Sequence, residues 1–473
     1  LDRWINSARL NLGMDMFSRE DGFSQAREFL KKGNWLIVLF DQHSGTQGSL
    51  SLFLNRLASI STLPSLLARS AGSINVITFP KRIGFFRTSL ELKLIKKDIS
   101  LIPYEAHSFL QNKMELNGGL PEWLWCHERW KTQQKYQLHL RLRYKRSNLP
   151  HALPKTTKIW IRLPNWLGDL VMTFPLIDAI RRGRPDAEIT LIGKPAFKNL
   201  LKKLGVGDDF IALPYGLGRE AYFRFIHCRS RFPSLTINFA NSLRSDIECK
   251  ILGAPRRYGL LLPGRYRPLL THAYRPSREI LANINSIHQV KLWEGMLNSF
   301  GLDEELSENP SNLEGVGRCP DLIGVLPGSA NNPSKRWPVK NWRILIEQLS
   351  TKSDKIKIKI LGTRDDLKLA KEICDNFDSE KVINLCGKTN LCELAIELAS
   401  CSKVIGNDSG GLHLANAVGT PVTVLFGPTN PQATGPFFAS SKCIVQTGRE
   451  ELDSNASHQG SPLDELIANF ANT

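Results

Sequence analysis

Several features are missing from this sequence. It has no apolar run long enough to cross a bilayer as a helix, and no signal peptide. No C-x-x-C pair and no Cys/His spacing of metal-site type occurs. The 9 cysteines are scattered, which excludes a disulfide framework and reads as reduced thiols. There is no RNA-recognition signature, zinc-finger spacing or aromatic-basic repeat, so nucleic acid is not the expected partner. Acidic residues are scarce: 45 Asp and Glu stand against 62 Lys and Arg, for a net charge of +17. That excess points to an anionic partner, either an acidic membrane surface or phosphorylated substrates. The first residue is Leu1 rather than Met, so the expected native N-terminus lies upstream. What is present is ordinary globular material, 42% hydrophobic and 23% charged over 473 residues, enough for about three domains.

The most informative stretch runs from Lys403 to Pro428, K-V-I-G-N-D-S-G-G-L-H-L-A-N-A-V-G-T-P-V-T-V-L-F-G-P. Its apolar runs read as strands at Lys403–Gly406 and Val422–Phe426, with a glycine-rich turn at 407–411 and a helix over Leu412–Val418. In an open α/β sheet the turn at the carboxyl end of a strand is where ligands sit. Ser409, Gly410 and Gly411 fall where the first helical amides lack intrahelical partners, an arrangement suited to a phosphate. Asp408 beside an anion would orient a hydroxyl or the local backbone. The competing reading is that Asn407, Asp408 and Ser409 simply cap the helix.

From the N-terminus, residues 1–145 form one expected unit. Asn34–Phe40 reads as a strand ending in D-Q-H-S-G-T, Thr62–Ala71 as a helix and Ile74–Phe79 as a strand. The stretch L-P-E-W-L-W-C-H-E-R-W-K, Leu120–Lys131, reads either as an aromatic-basic membrane-interface segment or as a helix with a core-facing aromatic stripe. Together with W-I-N-S-A-R near the start, these pieces resemble the C-terminal half of the bacterial lipid A (late) acyltransferase family. That family uses an upstream His-x-x-x-x-Asp/Glu motif, which is not present before Asp41 here. Arg9 and Asp41 match positions the family keeps near its site, as an acyltransferase-like remnant.

Residues 146–158 belong to a basic, proline-punctuated linker, which also suits anionic headgroups. Then K-I-W-I-R-L-P-N-W-L-G-D-L-V-M-T-F-P reads as a strand (Ile159–Leu163), a turn and a helix (Asp169–Arg181), with Asp169 at the helix start. It is there either as a cap or as a general base facing a cleft. Strands at Glu188–Ile192, Phe210–Leu213 and Leu235–Phe239 complete a first doubly wound domain, 159–318. A second, 319–473, begins with strand Leu322–Leu326 and the loop P-G-S-A-N-N-P-S-K-R-W-P. That loop carries Ser329 and the basic pair Lys335-Arg336, suited to a diphosphate. Gly387-Lys388-Thr389 is a further lining loop. A polar tail, Gly448–Gly460, and a short helix, Pro462–Phe470, close the chain.

The motifs N-W-L-G-D-L-V-M-T-F-P, P-G-S-A-N-N-P-S-K-R-W-P and N-D-S-G-G-L-H-L-A-N-A-V-G-T-P resemble, in order and spacing, the glycosyltransferase family 9 heptosyltransferases, most closely the lipopolysaccharide heptosyltransferase II branch. The resemblance implies an α/β GT-B fold of two Rossmann-like doubly wound domains, here preceded by a truncated α/β acyltransferase-like domain. It implies an inverting transfer of heptose from ADP-heptose to a lipopolysaccharide inner-core acceptor of Kdo-lipid A type, with no metal and no cofactor. It places the enzyme peripherally at the cytoplasmic face of the inner membrane. Asp169 matches the family's base and Lys335 its phosphate-binding cation. Asp408, Ser409, Gly410 and His413 match its D-[ST]-G-x-x-H donor turn, which also contains Gly411, while Ser329 and Arg336 lie in the neighbouring donor loop. Three further readings stay open at this point: a bifunctional acyltransferase/heptosyltransferase in a longer chain, a non-catalytic lipid- or sugar-nucleotide-binding scaffold, and the same fold with another nucleotide sugar as donor.

Overall fold

The computed structural model describes residues 2–446, except 18–21, 46–47, 55, 86, 96–101, 117–128, 131–138, 143–154, 217, 312 and 330–332. The expected tail elements, the linker core and most of Leu120–Lys131 lie outside the described residues. The chain divides into two compact units, Leu1–Thr156 and Thr157–Thr473.

In the first unit, helices α1 (Asp2–Asn11) and α2 (Gly22–Lys31) precede a hairpin, β1 (Ser49–Phe53) and β2 (Arg56–Ile60). Helix α3 (Leu63–Ala71), a second antiparallel hairpin, β3 (Asn75–Gly84) and β4 (Arg87–Ile95), and helix α4 (Ile102–Leu116) follow. Ile77 and Ile95 of the second hairpin pack on Ala68, Ile102, Ala106 and Phe109. Asn34–Phe40, read as a strand, is not one. The segment joins no ladder among the described residues, and Trp35, Ile37 and Leu39 are exposed. A continuous apolar run makes a strand only where a neighbour takes up its backbone hydrogen bonds.

The second unit holds two six-stranded parallel sheets. The first contains β5 (Thr157–Arg162), β6 (Ala187–Gly193), β7 (Asp209–Ala212), β8 (Leu235–Asn238), β9 (Arg257–Leu260) and β10 (His272–Tyr274). Its helices are α5 (Leu167–Met172), α6 (Phe174–Gly183), α7 (Lys198–Lys203), α8 (Gly218–His227) and α9 (Leu243–Ile251). The bridge carries α10 (Arg278–Ala282) and α11 (Gln289–Ser299). The second sheet contains β11 (Cys319–Leu326), β12 (Lys357–Ile360), β13 (Val382–Asn384), β14 (Cys401–Asn407), β15 (Val422–Phe426) and β16 (Lys442–Gln446). Around it run α12 (Val339–Lys352), α13 (Leu367–Cys374), α14 (Leu391–Ser400), α15 (Gly410–Ala417) and α16 (Pro431–Thr434).

The sheet orders are β7-β6-β5-β8-β9-β10 and β13-β12-β11-β14-β15-β16. Each winds outward in both directions from its central pair, so each has a topological switch point, between β5 and β8 and between β11 and β14. Strands inside the sheets are covered on both faces: every residue of β8 and of β15 is buried. That is why they read as apolar runs rather than alternations. The helix expected over Asp169–Arg181 is two helices. Pro175 has no N–H to continue α5, and Thr173, whose hydroxyl donates to the Leu170 carbonyl at 2.6 Å, marks the break.

Candidate functional site

The turns after β5 and β14 meet. A Cβ added to Gly168 would lie 3.0 Å from His413 Cδ2, and one added to Gly410 would lie 2.7 Å from Leu167 Cβ and 3.0 Å from the Gly168 amide. Glycine at these two positions is what lets the switch-point turns of the two sheets touch. Asp169 and the 407–411 turn therefore line one cleft.

On the first-sheet side, β5 ends in Arg162, whose buried guanidinium holds the outgoing turn. It donates to Glu248 (2.6 Å), to the Leu163 carbonyl and to Asn165 Oδ1 (3.0 Å). Trp166 is the N-cap of α5 and makes no side-chain cap bond, and Asp169 stands in the first turn behind it. Asp169 is thus not the cap. Its carboxyl titrates above the usual carboxylate range because burial penalises the anion and Asp408 repels it, while Lys335 acts in the opposite sense. A carboxylate with raised proton affinity, held near a cation, is chemically able to take a proton.

On the second-sheet side, Asn407 is fully buried. Its amide donates to the Pro327 carbonyl (2.6 Å), and its oxygen accepts from the Trp337 amide (3.2 Å). One side chain so ties both ends of the loop after β11 to the end of β14. Asp408 Oδ2 accepts from Lys335 Nζ (2.6 Å) and from Thr429 Oγ1 (2.8 Å). With Asn407 and Asp408 so engaged and no cap bond from Ser409, no side chain of this turn caps α15. The leading amides at Gly410 and Gly411 have no intrahelical partners, which leaves the positive end of the helix dipole bare.

His413 is buried, with Nε2 at 4.0 Å from Asp408 Oδ1. Burial lowers its pKa against the pull of Asp408, which favours the neutral imidazole. The basic pair of the β11 loop divides. Lys335 faces Asp408, whereas Arg336 donates to the Ser329 carbonyl (3.2 Å) and lies 3.5 Å from Asp366. Ser329 itself is buried. The cleft therefore gathers Asp169, Lys335, Asp408, Ser409, Gly410, Gly411 and His413, while Arg336 supports the loop from behind. Asn407 and Thr429 carry structural roles that the reading of single motifs missed. Their only sequence signal is their position beside the turn and after Phe426-Gly427-Pro428.

In the first unit, Arg9 is half-buried on α1, and the charge of Asp41 acts on Arg129. Arg129 is not at a membrane interface. It is buried, donates to the carbonyls of Gln42 and Ser59 (the latter at 2.9 Å) and approaches His107 Nε2 at 2.9 Å. Trp130 packs near Phe53 and under Arg56. Arg129 and Trp130 form a turn, and the rest of the stretch, with both readings of it, lies outside the described residues.

Known proteins match this chain in two stretches. Residues 235–460 match the family model for glycosyltransferase family 9 (heptosyltransferase), and residues 1–89 match bacterial lipid A biosynthesis acyltransferase. Lipopolysaccharide heptosyltransferase 2 of Salmonella typhimurium is 26% identical over 330 residues, spanning 64% of this chain and 92% of that protein. Lipooligosaccharide heptosyltransferase 2 of Haemophilus influenzae is 27% identical over 294 residues, spanning 58% and 84%. Among solved structures, the E. coli ADP-heptose lipopolysaccharide heptosyltransferase II superposes with a TM-score of 0.55 at 22% identity, covering 67% of this chain and 99% of that one. The E. coli heptosyltransferase WaaC with ADP gives 0.53 at 17% identity, with coverage of 67% and 99%. These neighbours share the fold of two facing Rossmann-like domains. The second unit therefore carries a glycosyltransferase family 9 (heptosyltransferase) domain, and the first a segment similar to the bacterial lipid A biosynthesis acyltransferases.

Proposed function

We propose that this enzyme transfers heptose from ADP-heptose, with inversion at the anomeric carbon, to a phosphorylated inner-core acceptor of Kdo-lipid A type. The observation that carries this reading is the pairing across the cleft of Asp169, a carboxylate of raised proton affinity, with Lys335 and the bare N-terminus of α15. In the reaction the acceptor hydroxyl oxygen bonds to the anomeric carbon. Its proton passes to Asp169, and the bond from that carbon to the β-phosphate oxygen breaks with its electron pair leaving on ADP. A sugar hydroxyl is a weak nucleophile, and a placed base assists as its proton is lost. The diphosphate gathers negative charge as it leaves, which Lys335 and the amides of Gly410 and Gly411 stabilise. Asp408 holds Lys335 until the diphosphate arrives, and neutral His413 donates one hydrogen bond to the donor. Ser329 and Arg336 shape the donor loop. The acceptor's acyl chains and the basic charge of the protein support a reaction at the inner face of a membrane.

The test is to incubate the full chain with ADP-heptose and heptosyl-Kdo-lipid A, following ADP release and product mass. Gain of one heptose that disappears in Asp169→Asn supports both the transfer and its base. Stabilisation by ADP without transfer would move the reading to another sugar or acceptor, and unchanged transfer in Asp169→Asn would overturn the role of Asp169.

A further inference from the structure

Helices α8 and α9 cross on the same face of the first sheet, since the connections β7 to β8 and β8 to β9 run in the same direction across it and parallel crossovers share one hand. They lie side by side. Arg244, at the start of α9, stacks on Tyr215 just before α8, with its guanidinium 3.6 Å from the ring centroid. At the other end a Cβ on Gly253, past α9, would meet the Arg229 side chain beyond α8 at 2.7 Å. Their inner surfaces supply Phe225, and Leu252 just past α9, to a core with Trp160, Ile192 and Leu213.

Their outer surfaces are apolar where solvent-facing helices are normally polar. Helix α8 exposes Tyr222, Phe223 and Ile226, with Phe223 63% exposed. Helix α9 exposes Leu243, Ile247 and Ile251, a single stripe at i, i+4 and i+8. Phe232, just beyond α8, is 80% exposed at a φ of 51°, a conformation that bulky residues rarely adopt. Arg219, Arg224, Arg229, Arg244 and Lys250 are exposed around these residues. Of the acids on the two helices, Asp246 and Glu248 are buried in ion pairs with Arg267 and Arg162, so only Glu220 is exposed.

We infer that the α8–α9 face docks the transferase on an anionic bilayer. The side chains of Tyr222, Phe223, Ile226, Leu243 and Ile247 enter the boundary between headgroups and acyl chains, and the arginines and Lys250 meet lipid phosphates. Apolar surface alone would also suit a protein partner. On the two helices a single exposed acid stands among four exposed Arg and Lys residues, and that balance is what selects an anionic lipid surface. The start of α9 follows β8 at the carboxyl end of the sheet, the end that carries the Asp169 turn. A lipid acceptor whose chains stay in the bilayer then presents its sugar core to the cleft. This deepens the proposed function, because it rests on a lipid-linked acceptor.

The experiment is co-sedimentation of the full chain with phosphatidylglycerol/phosphatidylethanolamine vesicles and with phosphatidylcholine vesicles, at low and high salt. The variants are Phe223→Ser/Ile247→Ser and Arg224→Gln/Lys250→Gln. Wild type is expected on the anionic vesicles only. The apolar variant should lose about tenfold in partitioning at any salt, and the charge variant should lose affinity at low salt and converge with wild type at high salt. Transfer to a deacylated, water-soluble acceptor should stay at wild-type level in both variants, which separates lost docking from lost folding. Equal partitioning of wild type and the apolar variant overturns the inference, as does no binding of wild type to anionic vesicles. Self-association of wild type that the variants abolish also overturns it, in favour of a second copy on this face. If no acceptor is turned over by wild type while vesicle binding behaves as stated, the proposed reaction fails and the docking surface stands.

Discussion

The two helix N-termini that meet in the cleft are built alike and charged oppositely. Both α5 and α15 follow a central parallel strand, both begin without a side-chain cap, and their leading turns touch through Gly168 and Gly410. In α5 the first turn carries its own anion, Asp169, so the positive end of that helix is already answered. In α15 the first turn is Gly410-Gly411, and the nearest carboxylate, Asp408, precedes the helix and is taken by Lys335 and Thr429. One end is equipped to accept a proton and the other to accept an anion. A doubly wound sheet supplies the position, and where the carboxylate sits along the turn decides the chemistry.

The sharpest way to break this comparison is to neutralise the α5 side. Asp169→Asn should cut kcat by about 10²–10⁴-fold, the range of a lost general base. The same change should stabilise the fold at neutral pH. Asp169 has a folded pKa above its unfolded value, so the folded state holds its proton more tightly. Stability present below the unfolded pKa is lost as pH rises through the folded one, and asparagine does not suffer that loss. Thermal melts of both proteins across pH check it: the curves should separate as pH rises, with the variant higher.

The opposite side is tested by Lys335→Met, for which about a 10²–10³-fold loss in kcat is expected from removing one charge-stabilising donor. Lys335 also lowers the pKa of Asp169, and Asp408 raises it. The acid limb of the pH–rate profile should therefore move up in Lys335→Met and down in Asp408→Asn. Limbs that stay in place would show that the group titrating in the profile is not Asp169.

How much of this could be read from the sequence depends on range. Strands flanked by glycine turns, as at Cys401–Asn407 and Val422–Phe426, declared themselves because buried parallel strands are continuous apolar runs. The short strands Arg257–Leu260 and His272–Tyr274 did not, since their apolar content is too small to stand out beside charged neighbours. Asn34–Phe40 showed the converse, a continuous apolar run that joins no ladder among the described residues. Within the site, the clustering of Asp169 with the 408–413 turn followed from two strand–turn–helix patterns at switch points. The division of Lys335 from Arg336 did not, because adjacent residues were sent to Asp408 and to Asp366 by a loop path that only tertiary structure sets. Asn407 looked like part of a cap, yet its bonds run to Pro327 and Trp337, about seventy to eighty residues away in sequence.

The contact between the two turns is sharpened by Gly410→Ala. The added methyl would meet Leu167 Cβ at 2.7 Å and the Gly168 amide at 3.0 Å, both close to backbone rather than at the end of a flexible side chain. Overpacking of this kind costs about 1–3 kcal/mol. The outcome to look for is a lower melting temperature with a reduced kcat, because the turns must part and take Asp169 away from Lys335.

The smallest effect should come from Thr429→Val, which keeps the shape of the side chain and removes one hydroxyl. Thr429 donates to the same Asp408 oxygen that accepts from Lys335. Without it Asp408 is a less satisfied anion and binds Lys335 more tightly in the empty enzyme. A diphosphate arriving at Lys335 competes with Asp408 for that ammonium, so the loss should appear in donor KM rather than in kcat. A hydrogen bond to a charged group is worth about 1.5–3 kcal/mol, and only the part that differs between empty and loaded enzyme is felt, so a rise in donor KM of up to about tenfold is expected. A change in kcat with unaltered KM would mean that Thr429 acts on the α5 side of the cleft, and the separation of the two helix ends into a proton-accepting and an anion-accepting role would have to be redrawn.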